Sequence, residues 1–308
     1  MGGILEGFAI IGIVILVGYC VARLKILPKD AGFTLNRFAF FVAMPALMYT
    51  TLATADVSIV FSSRLPVAAL SFTLVAGLYT LIFGVLLRRG VGRVTMGAVS
   101  SAMLNANNMG VPVAVYIFGD AAQIAPILLF QIIVVTPILL AIMDVIANGR
   151  LRLKDVLTQP VRNPLVIASM LGVTTNLVGF QTPSVVMEPM EILGGAGIPL
   201  VLVSFGMSLR GSTPLTVADQ RLETITAALF KVVLMPLVAY LLGRFAFDLQ
   251  PDDLIAAVML AALPTAQNAY NYASRYQQSV ILVRDIVLVS ACISLPAMLV
   301  ISWLLHSV

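Results

Sequence analysis

The chain has 308 residues, 60% of them hydrophobic and 10% charged, with a net charge of +4 and a mean hydropathy of +1.04. A soluble domain carries about 25% charged residues, so the water-facing coat is missing, and a soluble enzyme, a nucleic-acid-binding domain and a disordered chain are excluded. The composition is that of an integral membrane protein, in which basic residues mark cytoplasmic loops.

A helix needs roughly 20 apolar residues to cross a ~30 Å hydrocarbon core. Ten segments fit, which predicts an all-α membrane protein with ten transmembrane helices. Spans one to three are 4–23, 33–54 and 65–87. The first has no basic leader and no small-residue cleavage site before it, so it reads as a span and not as a signal peptide.

Span four, 94–118, is interrupted. Between residues 105 and 112 it holds Asn105, Asn107, Asn108, Gly110 and Pro112. Asparagine offers the backbone competing side-chain bonds, glycine costs about 1 kcal/mol and proline about 3 kcal/mol in a helix interior. A break from Asn105 to Pro112 is therefore expected, leaving Val94 to Leu104 as a half-helix of ~16 Å. Span five, 121–146, contains Pro137 and ends near Asp144. Residues 149–162 form a basic linker with Arg150, Arg152, Lys154 and Arg162.

Spans six and seven are 163–180 and 185–209, the latter opening with Glu188 and Glu191 and containing Pro199. Span eight, 222–246, carries Lys231, whose insertion costs roughly 2.5 to 3.5 kcal/mol if central. That lysine either attracts an anionic substrate or plays a structural part, by snorkelling or by pairing with a carboxylate. Span nine, 253–275, breaks again at Pro264, Thr265, Gln267, Asn268 and Asn271. Span ten, 280–305, begins with Arg284 and Asp285, which as neighbours on a helix are expected to point to different sides. Asp285 is the candidate proton carrier, and the other acids read as interfacial.

Features recur across the linker. Arg64-Leu65 matches Arg221-Leu222, 157 residues on, and Pro137 matches Pro296, 159 on. At that second offset Asn105 falls on Pro264. Residues 1–148 and 163–308 thus read as two five-helix repeats, and an odd number of spans per repeat makes them inverted, as in many secondary transporters. Lysine and arginine are concentrated in the odd-numbered connections, against Arg64 and Arg244 alone in the even ones. The odd loops are therefore expected in the cytoplasm and both termini outside.

Two crossed discontinuous helices, spans four and nine, are the expected binding site, because unwound backbone at membrane depth must be buried or line a wet cavity. Half-helix N-termini present N–H groups and a positive dipole end. With amide side chains and no acid at the crossing, such a site suits an anion. Cys20, Cys292 and His306 build no disulfide framework, metal site or catalytic cluster, and neither a cofactor nor a nucleic-acid partner is expected. A sodium site made of amides and carbonyls stays open, as does a channel or sensor.

The stretches LVGYCVARLKILP, LNRFAFFVAMPALMY, FKVVLMPLVAYLLG and ALPTAQNAYNYASRY resemble the auxin efflux carrier family, which includes plant PIN carriers and bacterial permeases of the malonate-transporter type. The resemblance implies a scaffold of spans one, two, six and seven and a mobile unit of spans three to five and eight to ten. It further implies elevator-type alternating access, a homodimer through the scaffold and a location in the cell inner membrane. A substrate carboxylate is expected at Asn107 or Asn108 with Pro112, and at Pro264. The alternative within this architecture is a sodium-coupled organic-anion symporter of the bile-acid-transporter type. The long hydrophilic central loop of many plant members is absent here.

Overall fold

The protein, seen in a computed structural model, is described over residues 2–28, 30–55, 64–149, 158, 160–211 and 213–306. Its elements there are helices, with no strand among the described residues. In chain order we number α1 (Gly2–Arg23), α2 (Ala31–Thr54), α3 (Arg64–Leu86), α4 (Val91–Ala102), α5 (Val111–Phe118) and α6 (Ala121–Ala147). There follow α7 (Pro164–Leu177), α8 (Ser184–Ser208), α9 (Ala218–Ala246), α10 (Pro251–Ala261), α11 (Gln267–Tyr276) and α12 (Val280–His306). Among the described residues seven of these, α1, α2, α3, α6, α8, α9 and α12, are long and apolar enough to cross a membrane. Of the remaining expected segments, the sixth is the shorter α7, and the fourth and ninth are the broken pairs α4/α5 and α10/α11. Lys29, Arg150, Arg152 and Lys154, part of the expected basic pattern, lie outside the described residues.

Four of the prolines inside these helices share a rule, which Pro189 and Pro296 do not follow. Pro45, Pro112, Pro137 and Pro236 each follow a π turn ending two residues earlier, at 39–43, 106–110, 131–135 and 230–234. A proline ring strikes the carbonyl of the preceding turn and leaves it without a donor. The wider i→i+5 turn displaces that carbonyl, so the helix continues through the proline instead of ending at it.

Packing joins α1, α2, α7 and α8 to one another, and α3, α4, α6, α9, α10 and α12 among themselves. Glycines set the first group. A Cβ on Gly18 would strike the Val203 carbonyl oxygen, one on Gly206 the Ile15 carbonyl oxygen, and one on Gly172 would lie 2.9 Å from the Tyr49 carbonyl oxygen. Small residues let helices approach backbone to backbone, which is how helices associate in lipid. Ion pairs help tie the second group. Arg89, between α3 and α4, and Arg93, in the first turn of α4, hold Asp219 and the buried Glu223 at the start of α9. Arg64, itself buried, pairs with Asp253 at the start of α10 (3.5 Å) and bonds Gln123.

Candidate functional site

The two interruptions meet. Asn105 donates its backbone N–H to the Pro264 carbonyl (2.8 Å), and Ala266 donates to the Met103 carbonyl (2.9 Å). These bonds form an isolated antiparallel bridge centred on Leu104 and Thr265. Each break thereby satisfies backbone groups that the other exposes, which buried backbone requires.

Supporting bonds close the remaining gaps. Gln131 of α6 accepts the Leu104 N–H (2.7 Å). Thr265 donates its hydroxyl to the Ser100 carbonyl near the end of α4 (2.7 Å), while its own N–H goes to the Ser290 hydroxyl of α12 (3.1 Å). At the other half-helix end, Lys231 donates from Nζ to the Ala261 carbonyl (2.6 Å).

The first break differs from the expected one in position. The irregular backbone covers residues 103–105, whereas Asn107, Asn108 and Gly110 lie in the π turn 106–110 and Pro112 in α5. The half-helix therefore starts at Ala106, ahead of Pro112 and not after it. Asn105 is the reason. Its side chain accepts the Asn108 N–H (3.2 Å) and its carbonyl receives Met109 (3.1 Å) and Gly110 (2.8 Å), so the asparagines open a helix as a cap instead of breaking one. In the second segment Pro264 and Thr265 lie in the break as expected, but Gln267, Asn268 and Asn271, expected in it too, are helical, because α11 already begins at Gln267.

A chain of amides links the two openings. Asn107 Nδ2 donates to Asn108 Oδ1 (2.7 Å), and Asn108 Nδ2 donates across to Gln267 Oε1 of α11 (2.9 Å). Asn105 Nδ2 and Asn107 Oδ1 are buried with no partner among the described residues. Asn105, Asn107, Asn108, Gln267 and Asn268 line a pocket of about 30 Å³ beneath Phe40 and Leu165, room for little more than a water. Gln267 also reaches a second cavity of about 680 Å³, whose polar lining includes Asn36, Ser204, Tyr270 and Asn271 and whose basic residues are Lys25 and Arg210. That volume suits a small molecule.

The other candidate residues stand apart from the pocket. Gly110 is buried where a Cβ would meet Ile124 and Leu263 side chains at 2.9 to 3.2 Å, and Pro112, Pro264 and Thr265 are buried in the frame around it. Asp285, only 2% exposed, accepts the Leu215 N–H (2.8 Å). Contrary to the expectation for neighbours on a helix, Arg284 turns its guanidinium back onto that carboxylate (2.8 Å), because a long side chain can fold where a short one cannot. Asp144, near the end of α6, is buried and accepts the Tyr276 hydroxyl (2.8 Å). Sequence reasoning missed Gln131, although a lone amide inside the apolar run LLFQIIVV was a signal for it.

The sequence has relatives. The family model described as membrane transport protein matches residues 4–155 and 148–302, nearly the whole chain. The chain belongs to this family, that of the auxin efflux carriers. Similar proteins include a Rhizobium meliloti protein named "Putative malonate transporter", 26% identical over 85% of this chain and 83% of that one. An uncharacterized transporter of Methanocaldococcus jannaschii is 23% identical over 96% and 97%. A rice protein named "Probable auxin efflux carrier component 5b" is 30% identical over 45% of this chain and 38% of its own. Family membership makes the chain a membrane transporter and not an enzyme.

Proposed function

We propose that this carrier moves small organic anions, mono- or dicarboxylates, across a bacterial-type inner membrane by elevator-type alternating access, with the anion held at the crossing of α4/α5 and α10/α11. One observation carries the reading. Two helix openings converge through the Asn107, Asn108 and Gln267 amides beside a cavity of about 680 Å³, and among the described residues no acidic side chain lines that cavity or the crossover pocket. Helix N-termini and neutral amide donors favour an anion. The names of the relatives, malonate transporter and auxin efflux carrier, agree with a carboxylate as the recognised group.

The proposed architecture counts α4/α5 and α10/α11 as one span each and adds α7, making ten spans in two inverted repeats. Spans one, two, six and seven, which are α1, α2, α7 and α8, form the scaffold, and the other six form the mobile unit; the packing groups above support this division for every element named in them, while α5 of the mobile unit packs on α1 of the scaffold. A homodimer through the scaffold completes the proposal. Lys25 and Arg210 belong to odd-numbered connections, so in the expected orientation the large cavity opens to the cytoplasm.

Thermal unfolding of the purified protein tests the function. Malonate or an indole carboxylic acid is expected to raise the midpoint in a concentration-dependent way, while neutral sugars leave it unchanged. A protein stabilised by no carboxylate, in sodium or potassium salts, would count against the reading. For the orientation, single cysteines in a Cys20/Cys292-free background are expected to label from the cytoplasm at Asn148 and from outside at Ala121 and Ser307. External labelling of Asn148 would reverse it.

A further inference from the structure

Arg37 lies inside α2, six residues or ~9 Å beyond its start at Ala31, and so in a membrane-crossing helix and not in a loop. Other cations within the long helices are covered or paired: Lys231 is buried, Arg244 pairs with Asp248 and Arg284 with Asp285. Arg37 is exposed, and among the described residues its guanidinium meets neither a carboxylate nor a hydrogen-bond acceptor. Its contacts are two rings. Cζ lies 5.8 Å from the centroid of Phe33, one turn before it, and 5.8 Å from that of Phe41, one turn after. Cation–π attraction holds the guanidinium in place while its five N–H donors keep no acceptor from the protein.

The surface around it is apolar. Phe33 is 66% exposed and Phe41 55%, with Phe38 and Val42 exposed beside them, whereas Met44, Met48 and Leu52 farther along α2 are buried. The first half of α2 therefore sets a cation in an apolar face. Hydrocarbon alone gives the guanidinium no acceptor, and water alone leaves the rings unfavourably hydrated. An amphiphile with an anionic head and an apolar tail satisfies both. A soluble anion would leave the rings bare. A second copy of the chain would cover the rings but match the charge poorly. In the ten-span arrangement the exposed scaffold acids Glu6, Glu188 and Glu191 stand at the opposite side of the membrane, and among the described scaffold residues Asp30 alone shares the end of Arg37.

We propose that Arg37, Phe33 and Phe41 form a binding site for an anionic phospholipid, the guanidinium taking the phosphate through its planar fork and the rings lining the start of an acyl chain. Basic residues near a membrane surface attract anionic lipid, and this one is fixed between two rings. In the orientation expected from the loop charges, the lipid belongs to the cytoplasmic leaflet. The site borders the substrate path without entering it: Phe33 lines the large cavity, and Phe41 meets Phe40 edge-on (centroids 5.1 Å), which roofs the crossing pocket. Lipid binding here does not depend on what the carrier transports.

Full-length protein in a neutral detergent is titrated with phosphatidylglycerol and with phosphatidylcholine, whose choline offsets the phosphate charge. Bound lipid is counted by native mass spectrometry, and the thermal midpoint is followed in parallel. The parent is expected to bind phosphatidylglycerol about tenfold more tightly than phosphatidylcholine and to gain midpoint with it, while inorganic phosphate at the same concentration leaves the midpoint unchanged. Arg37→Gln is expected to bind the two lipids alike and to keep the parental midpoint in phosphatidylcholine. Arg37→Lys, with the charge but not the fork, is expected to retain part of the preference. Arg23→Gln removes an exposed charge at the end of α1 and is expected to keep the preference whole.

A parent that binds both lipids alike, or an Arg37→Gln variant with the parental preference, would overturn the proposal. So would an Arg23→Gln variant that loses as much as Arg37→Gln, because the attraction would then belong to the whole basic face. Inorganic phosphate that stabilises as well as phosphatidylglycerol would assign the guanidinium to a soluble anion. Arg37→Gln turning a dimer into a monomer with its lipid preference intact would assign the face to a second copy; either result also overturns the site. If Arg37→Gln does not fold, Phe33→Ala removes one ring and leaves the charge. It is expected to weaken phosphatidylglycerol binding about threefold, and parental binding there would remove the rings from the site.

Discussion

Asn108→Asp is expected to abolish carboxylate binding while leaving membrane insertion intact, and Asn108→Ala to weaken binding by about tenfold or more. Asn108 is 5% exposed and is the one side chain that joins the two openings, accepting from Asn107 and donating to Gln267. A charge-assisted hydrogen bond to a bound anion contributes roughly 1.5 to 3 kcal/mol, and 1.4 kcal/mol is a factor of ten, so truncation to alanine has at least that effect. Aspartate does more. It places a carboxylate among the N–H groups at the helix opening, where it takes the position of the substrate's own charge and repels it. The frame survives either change, because the Asn105–Pro264 and Ala266–Met103 backbone bonds do not involve the Asn108 side chain. Gln267→Ala, which removes the partner from the other side, is expected to match Asn108→Ala. Calorimetric titration of malonate into monodisperse protein makes the comparison, and an Asn108→Asp variant that binds as tightly as the parent would remove the anion from this crossing.

Gly206→Leu is expected to yield no monodisperse protein, whereas Gly12→Ala is expected to be neutral or stabilising. Both glycines lie in long apolar helices, α8 and α1. Around Gly206, however, an added Cβ would land on the Ile15 carbonyl oxygen and within 2.9 Å of the Tyr19 nitrogen, while around Gly12 there is nothing within 4 Å. Backbone cannot swing aside as a flexible side chain can. Even a methyl group at position 206 must push α1 and α8 apart, at about 1 to 3 kcal/mol for overpacking, and a leucine forces the pair to separate. At Gly12 the only change is the removal of the glycine penalty in a helix interior, about 1 kcal/mol. Thermal unfolding and size-exclusion profiles of the two variants provide the readout. A parental midpoint for Gly206→Leu would mean that α1 does not pack on α8 through this face.

The membrane setting, the approximate helix limits and the existence of two interruptions were legible in the residues themselves, because each depends on local chemistry. Apolar length dictates a span, and a cluster such as Asn105 to Pro112 cannot continue as an undisturbed helix. How that cluster resolves depends on what lies across from it. Asn105 serves as a cap because its N–H has the Pro264 carbonyl to bond, and Pro112 rides inside α5 because a π turn clears the carbonyl beneath it. The partners of buried polar groups come from far along the chain: Gln131 for Leu104, Ser290 for Thr265, Ala261 for Lys231. The sequence alone determined that Lys231 and Asp285 were charges within apolar helices in need of partners. Only the tertiary structure decided that one meets the carbonyl end of α10 and the other the Leu215 amide, since hydrogen bonds of about 3 Å are set by how helices pack and not by the spacing of residues within any one of them.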